Sequence, residues 1–297
     1  MEINKSVCPP FIGVATAMAT PFCGGKVDIS RFASALSRQI KSGINAVCVC
    51  GTTGEAATLS KKERIKVIET AKENAGAVPV IAGVGAADTQ TALKLTADAV
   101  KSGADILLVI TPFCNKGTTR GIFEHYRKIA SAADGRPVIL YNVPSRTGVD
   151  LSIAEYKRLA AIEGIVAVKE AAAQIAKISA ICAETPLFVY SGNDEMTLPV
   201  ISVGGVGVIS VLSNLVPDEV SALAGAAADG RLEDARAIQA KYAPLVRLLF
   251  AETSPAPLKY ALSLLGWDSG EMRLPLAPIE EPLRRQIASE LTALKLL

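Results

Sequence analysis

Lys169 stands at the end of an apolar run, and its position suits chemistry on a carbonyl group. The run spans residues 164–169 (GIVAVK), and small residues follow at 171–173 (AAA). Partial burial of a lysine disfavours its charged form, and only the neutral amine attacks a carbonyl carbon to form a Schiff base. A lysine that reaches out to water, or that pairs with Glu170, explains the position equally well. The other polar segments of the chain must therefore decide between a nucleophile and a surface charge.

Three other polar segments follow short apolar runs in the same way. They are residues 51–55 (GTTGE), 141–148 (YNVPSRTG) and 191–194 (SGND). Hydroxyls and backbone N–H groups in a glycine-bounded turn suit a small carboxylate, so Thr52 and Thr53 are candidates to bind one. A tight turn alone would also explain the glycines.

Tyr141 and Arg146 each allow two interpretations. A tyrosine at a strand end can transfer protons through its hydroxyl, or it can simply fill space and hydrogen-bond to a neighbour. Arg146 is either a solvated loop cation or a fork for a carboxylate, and its closeness to Tyr141 favours the fork. With such companions, Lys169 is better explained as a nucleophile than as a surface charge.

The cysteines and the histidine do not indicate a metal site. Six cysteines lie in apolar runs without the paired spacings of zinc sites or disulfide frameworks. Cys48 and Cys50, two apart on a predicted strand, should share one face, but the single histidine, His125, leaves too few further ligands. We expect buried, reduced cysteines and a structural His125. The GGVG run at 204–207 lacks the strand-loop-helix context of a nucleotide site, so we expect close packing there.

Composition and charge exclude several classes of protein. Of 297 residues, half are apolar and 20% are charged, which suits a large core and not a membrane protein. The 31 basic and 29 acidic residues are spread without blocks, so neither a nucleic-acid nor a membrane surface is indicated, and the expected partners are small molecules. The amino terminus has no apolar run long enough for a signal peptide or a membrane span, so we expect a cytoplasmic protein.

The elements that would position the polar segments repeat along the chain. Each apolar run is followed by a stretch of helical periodicity, and the eight runs are 12–18, 46–50, 78–82, 106–110, 138–141, 165–168, 187–190 and 208–211. This predicts an α/β fold: a (β/α)₈ TIM barrel over residues 1–217 and, packed on it, a C-terminal helical extension over 218–297. A doubly wound open sheet is the alternative. Barrel closure would bring the four polar segments together at the carboxyl ends of the strands.

Helix starts are also readable. Ser60 with Glu63, and Ser152 with Glu155, have the spacing of capping boxes, and Asp88 is the predicted N-cap residue of a third helix. In the first helix, residues 32–40 present an apolar face that only a glutamine interrupts.

These segments resemble the dihydrodipicolinate synthase and N-acetylneuraminate lyase superfamily of class I pyruvate aldolases. The resemblance runs from residues 13–22 (GVATAMATPF) to residues 254–259 (SPAPLK). Segments 51–55 and 141–148 resemble the synthase branch. Its arginine, matched here by Arg146, meets the carboxylate of the aldehyde substrate and is generally lacking in the sugar-acid lyases.

The resemblance implies a role for each matching residue. Lys169 would form the Schiff base, and Tyr141 and Thr53 would move protons. The substrate-binding residues would be Thr52, Thr53, Arg146, Gly192 and Ile209. The resemblance implies no metal and no organic cofactor, and it implies a homotetramer built as a dimer of dimers.

The chain departs from the superfamily at one position. Members commonly have a TPYYN segment whose second tyrosine reaches across a tight dimer interface into the proton relay of the neighbouring subunit. Residues 111–115 here read TPFCN, with Cys114 where that tyrosine is expected. A thiol is shorter and more acidic than a phenol, so we expect a proton relay through Thr52 and Cys114 to be poorer than one that includes the tyrosine.

The resemblance implies condensation of pyruvate with L-aspartate 4-semialdehyde to 4-hydroxy-tetrahydrodipicolinate, a step of lysine and diaminopimelate biosynthesis. Two rivals stay open: another pyruvate-dependent aldolase on the same scaffold, which Cys114 favours, and a non-catalytic paralogue that binds a keto acid. Weak or absent feedback by lysine is also expected, because the positions of the lysine site in inhibited relatives are occupied here by Lys61, Arg64, Ala87, Thr91 and Phe113.

Overall fold

Eight parallel strands close into a barrel in the computed structural model, which describes residues 8–297. The barrel strands are β1 (Gly13–Ala17), β4 (Ala46–Val49), β5 (Val80–Gly83), β6 (Ile106–Ile110), β7 (Val138–Asn142), β8 (Ile165–Glu170), β9 (Phe188–Ser191) and β10 (Gly207–Ser210). Strands β2 (Phe22–Cys23) and β3 (Lys26–Val27) form a separate short antiparallel hairpin. Strand β1 pairs with both β4 and β10. The predicted barrel is therefore confirmed, and the open-sheet alternative is wrong.

Helices follow the barrel strands and form the outer layer. They are α1 (Ile29–Lys41), α2 (Lys61–Asn74), α3 (Thr89–Lys101), α4 (Thr119–Ala132), α5 (Pro144–Thr147), α6 (Ile153–Leu159), α7 (Ile175–Glu184), α8 (Thr197–Ser202), α9 (Pro217–Ala228), α10 (Leu232–Leu249), α11 (Ala256–Leu264) and α12 (Glu281–Ala293). The last four match the helices predicted beyond residue 217. Because α9 follows the last barrel strand and packs against β1, the division of the chain after residue 217 stays a prediction.

The predicted helix starts are confirmed by their hydrogen bonds. Ser60 and Ser152 accept from the backbone N–H of Glu63 and Glu155, whose carboxylates accept from the N–H groups of the two serines. Asp88 accepts from the N–H of the third residue of α3. These bonds satisfy backbone donors that a helix leaves unpaired in its first turn.

Gln39 interrupts the apolar face of α1 and is nevertheless buried. Its side-chain oxygen accepts from Thr16 Oγ1 at 2.7 Å, and its side-chain nitrogen donates to the carbonyl of Ser213 at 2.9 Å. Both polar groups of the amide are therefore satisfied, which makes the burial tolerable. The glutamine ties α1 to β1 and to the loop after β10.

Side chains that point into the barrel form a cluster of their own. It includes Ala15, Cys48, Ile81, Leu108, Ile139, Tyr141, Ala167, Tyr190 and Ile209. Phe11 stacks on Tyr190 with ring centroids 4.2 Å apart, and the Tyr190 hydroxyl donates to the Phe11 carbonyl at 2.6 Å. Because Phe11 precedes β1, this stack fills the amino-terminal end of the barrel.

The GGVG run of residues 204–207 serves close packing, as predicted. A Cβ added to Gly207 would lie 1.9 Å from the carbonyl oxygen of Gly13 on the neighbouring strand β1. Only glycine allows the two strands to approach so closely here.

The expectation for the cysteines is corrected in two respects. Cys48 belongs to the interior cluster, whereas Cys50 belongs to the core outside the barrel, so the two do not share one face. Cys50 has a φ of 52°, which ends the regular alternation of the strand. Burial also holds only for these two, since Cys8, Cys23 and Cys114 are exposed and Cys182 is partly buried.

Residues 8–297 contain neither a helix that could span a membrane nor a cluster of residues that could hold a metal ion. No helix there is long and apolar enough to cross a membrane. No group of three or more His, Cys, Asp or Glu residues is placed there to hold a metal ion. Residues 1–7, part of the segment used above to predict the absence of a signal peptide, lie outside the described residues.

Candidate active site at the carboxyl end of the barrel

Strand β8 separates Lys169 from Glu170 by pointing them to opposite faces. Successive side chains of a strand alternate, so Ala167 and Lys169 face the barrel interior while Val168 and Glu170 face the helices. Lys169 pairs in register with Tyr141 on β7 and with Tyr190 on β9.

Glu170 is engaged elsewhere and does not neutralise Lys169. The Glu170 carboxylate is 1% exposed and accepts from Asn142 Nδ2 at 2.9 Å, from Tyr156 Oη at 2.6 Å and from the N–H of Ala172 at 2.7 Å. Pairing of Lys169 with Glu170, considered above, is therefore wrong. Burial of the Tyr156 hydroxyl next to this carboxylate raises the pKa of Tyr156 well above its usual value, so the tyrosine stays a hydrogen-bond donor.

Lys169 is buried without a carboxylate partner. It is 6% exposed, which also excludes a side chain that extends into solvent. Its Nζ lies 4.6 Å from the centre of the Tyr141 ring, and no carboxylate of residues 8–297 forms an ion pair with it. The amine is thus held against an aromatic face inside the barrel mouth.

A cleft of about 130 Å³ opens above Lys169. One buried water needs about 10–15 Å³, so the cleft has room for a small molecule. Among its lining residues are six of the predicted site residues, Thr52, Thr53, Tyr141, Arg146, Lys169 and Gly192. Barrel closure therefore brings most of the predicted site together.

The loop after β4 presents Thr52 and Thr53 to the cleft. Thr53 is 6% exposed, and the turn is closed by a hydrogen bond of 3.0 Å from the N–H of Glu55 to the carbonyl of Thr52. Within residues 8–297 no hydrogen bond joins Thr53 to Tyr141, although both line the cleft.

Arg146 and the C-terminal helices form one side of the cleft. Arg146 lies in α5, and its Nη2 donates to the carbonyl of Ser254 at 3.3 Å. This single bond leaves most of the guanidinium donors available to a carboxylate. Ser254 and the 42%-exposed Phe250 also line the cleft. Neither residue was predicted to belong to the site, because no local sequence pattern shows where the C-terminal extension docks.

Gly192, Ile209 and Cys114 have different positions relative to the cleft. A Cβ on Gly192 would lie 2.6 Å from Ala171 Cβ, so the backbone at the cleft wall leaves no room for a side chain. Ile209 is 1% exposed in the barrel interior and does not line the cleft. Cys114 is exposed, has a φ of 67°, and does not line the cleft of its own chain.

Two other titratable side chains are held neutral. Burial raises the pKa of the Cys48 thiol in the cleft to about 11, so this cysteine remains protonated near neutral pH. Burial lowers the pKa of His125 to about 4, and its Nδ1 lies 3.0 Å from Thr89 Oγ1. His125 is on α4, outside the cleft-lining set, which agrees with the structural role expected for it.

Lys61 and Arg64, which the resemblance matches to positions of the lysine site in inhibited relatives, are both engaged in other contacts. Lys61 forms an ion pair of 2.8 Å with Asp98, and the buried Arg64 donates to the carbonyls of Ala56 and Gly83. These contacts reduce any repulsion that the two cations would exert on the amines of a lysine ligand. Weak lysine feedback stays a prediction that rests on the replaced polar groups.

Comparison with known proteins identifies the family. The sequence model of the Dihydrodipicolinate synthetase family matches residues 10–294. The chain belongs to this family. A relative from Methanosarcina acetivorans named 4-hydroxy-tetrahydrodipicolinate synthase is 44% identical over 96% of this chain and 98% of its own. The resemblance found in the sequence is thereby confirmed.

Solved structures agree with the fold. The crystal structure of dihydrodipicolinate synthase from Aquifex aeolicus has a TM-score of 0.93 and 40% identity, covering 96% of this chain and 99% of that one. The enzyme from Acinetobacter baumannii, described as chloride-inhibited and complexed with pyruvate, has a TM-score of 0.93 and 38% identity over 96% and 99% of the two chains.

Proposed function

We propose that this chain is a 4-hydroxy-tetrahydrodipicolinate synthase, which condenses pyruvate with L-aspartate 4-semialdehyde through a Schiff base on Lys169. Family membership and the names of full-length relatives support the activity, and they agree with the function predicted from sequence. The observation that carries the assignment of the nucleophile is a buried lysine without a carboxylate partner, at the base of a cleft lined by hydroxyls and an arginine.

In the first stage, the neutral amine of Lys169 adds to the ketone carbon of pyruvate. A proton moves from nitrogen to oxygen, and loss of water from the carbinolamine gives the protonated imine. Tyr141, whose ring contacts Nζ, is the group we assign to this proton movement, with Thr53 beside the same cleft. The pyruvate carboxylate is assigned to the loop of Thr52 and Thr53.

In the second stage, the iminium nitrogen acts as the electron sink. Loss of a methyl proton gives an enamine, whose carbon attacks the aldehyde of the semialdehyde and forms the new carbon–carbon bond. The substrate amine then attacks the imine carbon, closes the ring and releases Lys169 as the free amine. Arg146 is assigned to the carboxylate of the aldehyde substrate.

Borohydride trapping tests the nucleophile. Incubation with pyruvate and borohydride should reduce the imine to a stable secondary amine, and mass measurement should find the added group on the peptide that contains Lys169. Protein that stays unmodified, or is modified on another lysine, would contradict the assignment.

A second candidate, another pyruvate-dependent aldolase, is favoured by Cys114. This residue stands where relatives have a relay tyrosine, and it is exposed outside the cleft. Turnover measured with a series of aldehydes separates the two enzymes, and we expect aspartate semialdehyde to have the highest kcat/KM. A non-catalytic paralogue would bind pyruvate without turning over any of them.

We also propose that the protein is cytoplasmic and assembles as a homotetramer, a dimer of dimers. Family membership supports both proposals. Sedimentation analysis at micromolar concentration should give a single species of four chains, and a monomer would contradict the assembly.

A further inference from the structure

A fully buried ion pair joins the loop after β4 to the C-terminal helices. Lys259 Nζ on α11 lies 2.7 Å from Glu55 Oε1, and both side chains are 0% exposed. Lys259 also donates to the carbonyl of Thr20 at 2.9 Å, and Glu55 Oε2 accepts from the N–H of Arg273 at 3.2 Å. Each charge therefore has two hydrogen-bond partners.

Glu55 is the last residue of the loop that carries Thr52 and Thr53. Its φ of 53° is in the left-handed region, where a residue with a side chain remains only if its surroundings hold it. Its N–H closes the turn on the carbonyl of Thr52, as described above. A second contact holds the same loop, since Thr20 Oγ1 donates to the carbonyl of Gly54 at 2.8 Å.

Stability alone is a weak explanation for this pair. Removing two charges from water is costly, and well-packed apolar residues often replace a buried ion pair without loss of stability. Neither Glu55 nor Lys259 lines the cleft, so neither contacts a bound substrate. The pair lies at one end of a short loop whose residues Thr52 and Thr53 line the same cleft as Lys169.

We propose that Glu55 and Lys259 are positioning residues that hold Thr52 and Thr53 in the conformation that binds pyruvate. Helix α11 thereby contributes to pyruvate binding through Lys259, which does not line the cleft. The proposal rests on the proposed function, because it takes the threonine loop as the site of the pyruvate carboxylate.

Three variants of the full-length protein test the proposal: Glu55→Gln, Lys259→Met and the double variant. We expect Glu55→Gln to raise the KM for pyruvate about tenfold, since small displacements of binding groups have large effects, and to leave the KM for aspartate semialdehyde within about twofold. Lys259→Met should also lower the melting temperature. The double variant removes both charges, so it should recover the melting temperature and keep the raised pyruvate KM.

Leu291→Ala on α12 is the matched control. Leu291 is 0% exposed and distant in sequence from both substrate-binding loops, so its truncation lowers the melting temperature through a cavity. We expect its pyruvate KM to stay unchanged. If Lys259→Met does not fold, the nearly isosteric Glu55→Gln decides alone.

Two results would overturn the proposal. One is a pyruvate KM within about twofold of wild type in Glu55→Gln. The other is an equal rise of that KM in Leu291→Ala, which would make the effect one of general stability. Borohydride trapping of pyruvate by the wild-type protein keeps this outcome separate from the proposed function: if the wild type traps pyruvate on Lys169, only the positioning role has failed.

Discussion

Two lysines are buried among residues 8–297, and they differ in whether a carboxylate lies beside them. Lys259 is 0% exposed and has a carboxylate 2.7 Å from its Nζ, whereas Lys169 is 6% exposed and has no carboxylate partner among residues 8–297. Both contact an aromatic ring, since Lys259 Nζ lies 4.3 Å from the centre of the Phe22 ring and Lys169 Nζ 4.6 Å from that of Tyr141.

The difference lies in what each amine can still do. The hydrogen bonds of Lys259 are committed to Glu55 and Thr20, so this residue can only hold two parts of the chain together. Lys169 faces a cleft, and its nearest neighbour in sequence, Glu170, is bonded to other groups. Burial alone therefore does not indicate a reactive lysine. Burial without a charged partner does.

The largest effect is expected from exchanging each lysine for methionine. Lys169→Met should abolish pyruvate trapping and lower kcat by about 10⁴-fold or more, because the nucleophile is lost, while leaving the melting temperature nearly unchanged. Lys259→Met should instead cost about 3–5 kcal/mol of stability, since it leaves Glu55 buried and unpaired. Trapping with borohydride and thermal unfolding measure the two effects. A large loss of stability in Lys169→Met would mean that Lys169, like Lys259, stabilises the fold.

The next effect concerns the charge at the side of the cleft. Arg146→Ala should raise the KM for aspartate semialdehyde about 10–100-fold, because a hydrogen bond to a charged group contributes about 1.5–3 kcal/mol. Arg146→Lys keeps the positive charge but lacks the planar guanidinium, so its KM for aspartate semialdehyde should lie between those of wild type and Arg146→Ala. Steady-state kinetics with each substrate varied in turn provide the measurement. If the pyruvate KM rose instead, Arg146 would bind the other substrate.

A smaller effect is expected at Cys114. Positioned acid–base groups contribute about 10²–10⁴ in rate, and we expect a loss of this size for Tyr141→Phe. Cys114→Ala should lower turnover less, and Cys114→Tyr should raise it modestly. Because a phenol can also overpack an interface, sedimentation must accompany the assay. An intact oligomer with unchanged or lower turnover in Cys114→Tyr would show that this position is not a weakened relay and would strengthen the second candidate function.

The smallest effect concerns a more exposed ion pair between the barrel and the extension. Arg273 Nη1 donates to Glu63 Oε2 at 3.0 Å. Hydrogen bonding to Arg273 lowers the pKa of Glu63 to about 2. Because the folded state favours the carboxylate, the stabilisation is fully present above about pH 4.5 and is lost as the pH falls toward 2.

Glu63→Gln isolates this charge, because glutamine can still complete the capping box of α2. Melting temperatures of wild type and variant should differ by a small amount near pH 6, and this difference should shrink below about pH 4.5 and be lost as the pH falls through about 2. If the difference in melting temperature persists unchanged at low pH, it arises from the helix cap and not from the charge of Glu63.

Much of this architecture could be predicted from sequence because its signals are local. Eight apolar runs and the serine caps at Ser60 and Ser152 depend on neighbours within a few residues. Parallel strands bring their carboxyl ends together once the barrel closes. That is why Thr53, Tyr141 and Lys169, far apart in the chain, could be assigned to one site in advance.

The features that escaped prediction depend on distant contacts or on single backbone angles. Phe250 and Ser254 reach the cleft only through the docking of the C-terminal helices. Glu170 reads as an ordinary charged residue until Asn142 and Tyr156 surround it. The face of Cys50 was misjudged because a positive φ there breaks the two-residue period.

The stack of Phe11 on Tyr190 has a consequence for traffic through the enzyme. Because this stack fills the amino-terminal end of the barrel, we expect both substrates and the product to use the opening at the carboxyl end. In the proposed mechanism pyruvate forms its imine on Lys169, which lines this cleft, before the aldehyde reacts. We therefore expect a compulsory order, with the keto acid first, water leaving before the aldehyde enters, and parallel lines in double-reciprocal plots. Intersecting lines would mean that the aldehyde can occupy the cleft while pyruvate has not yet lost its oxygen.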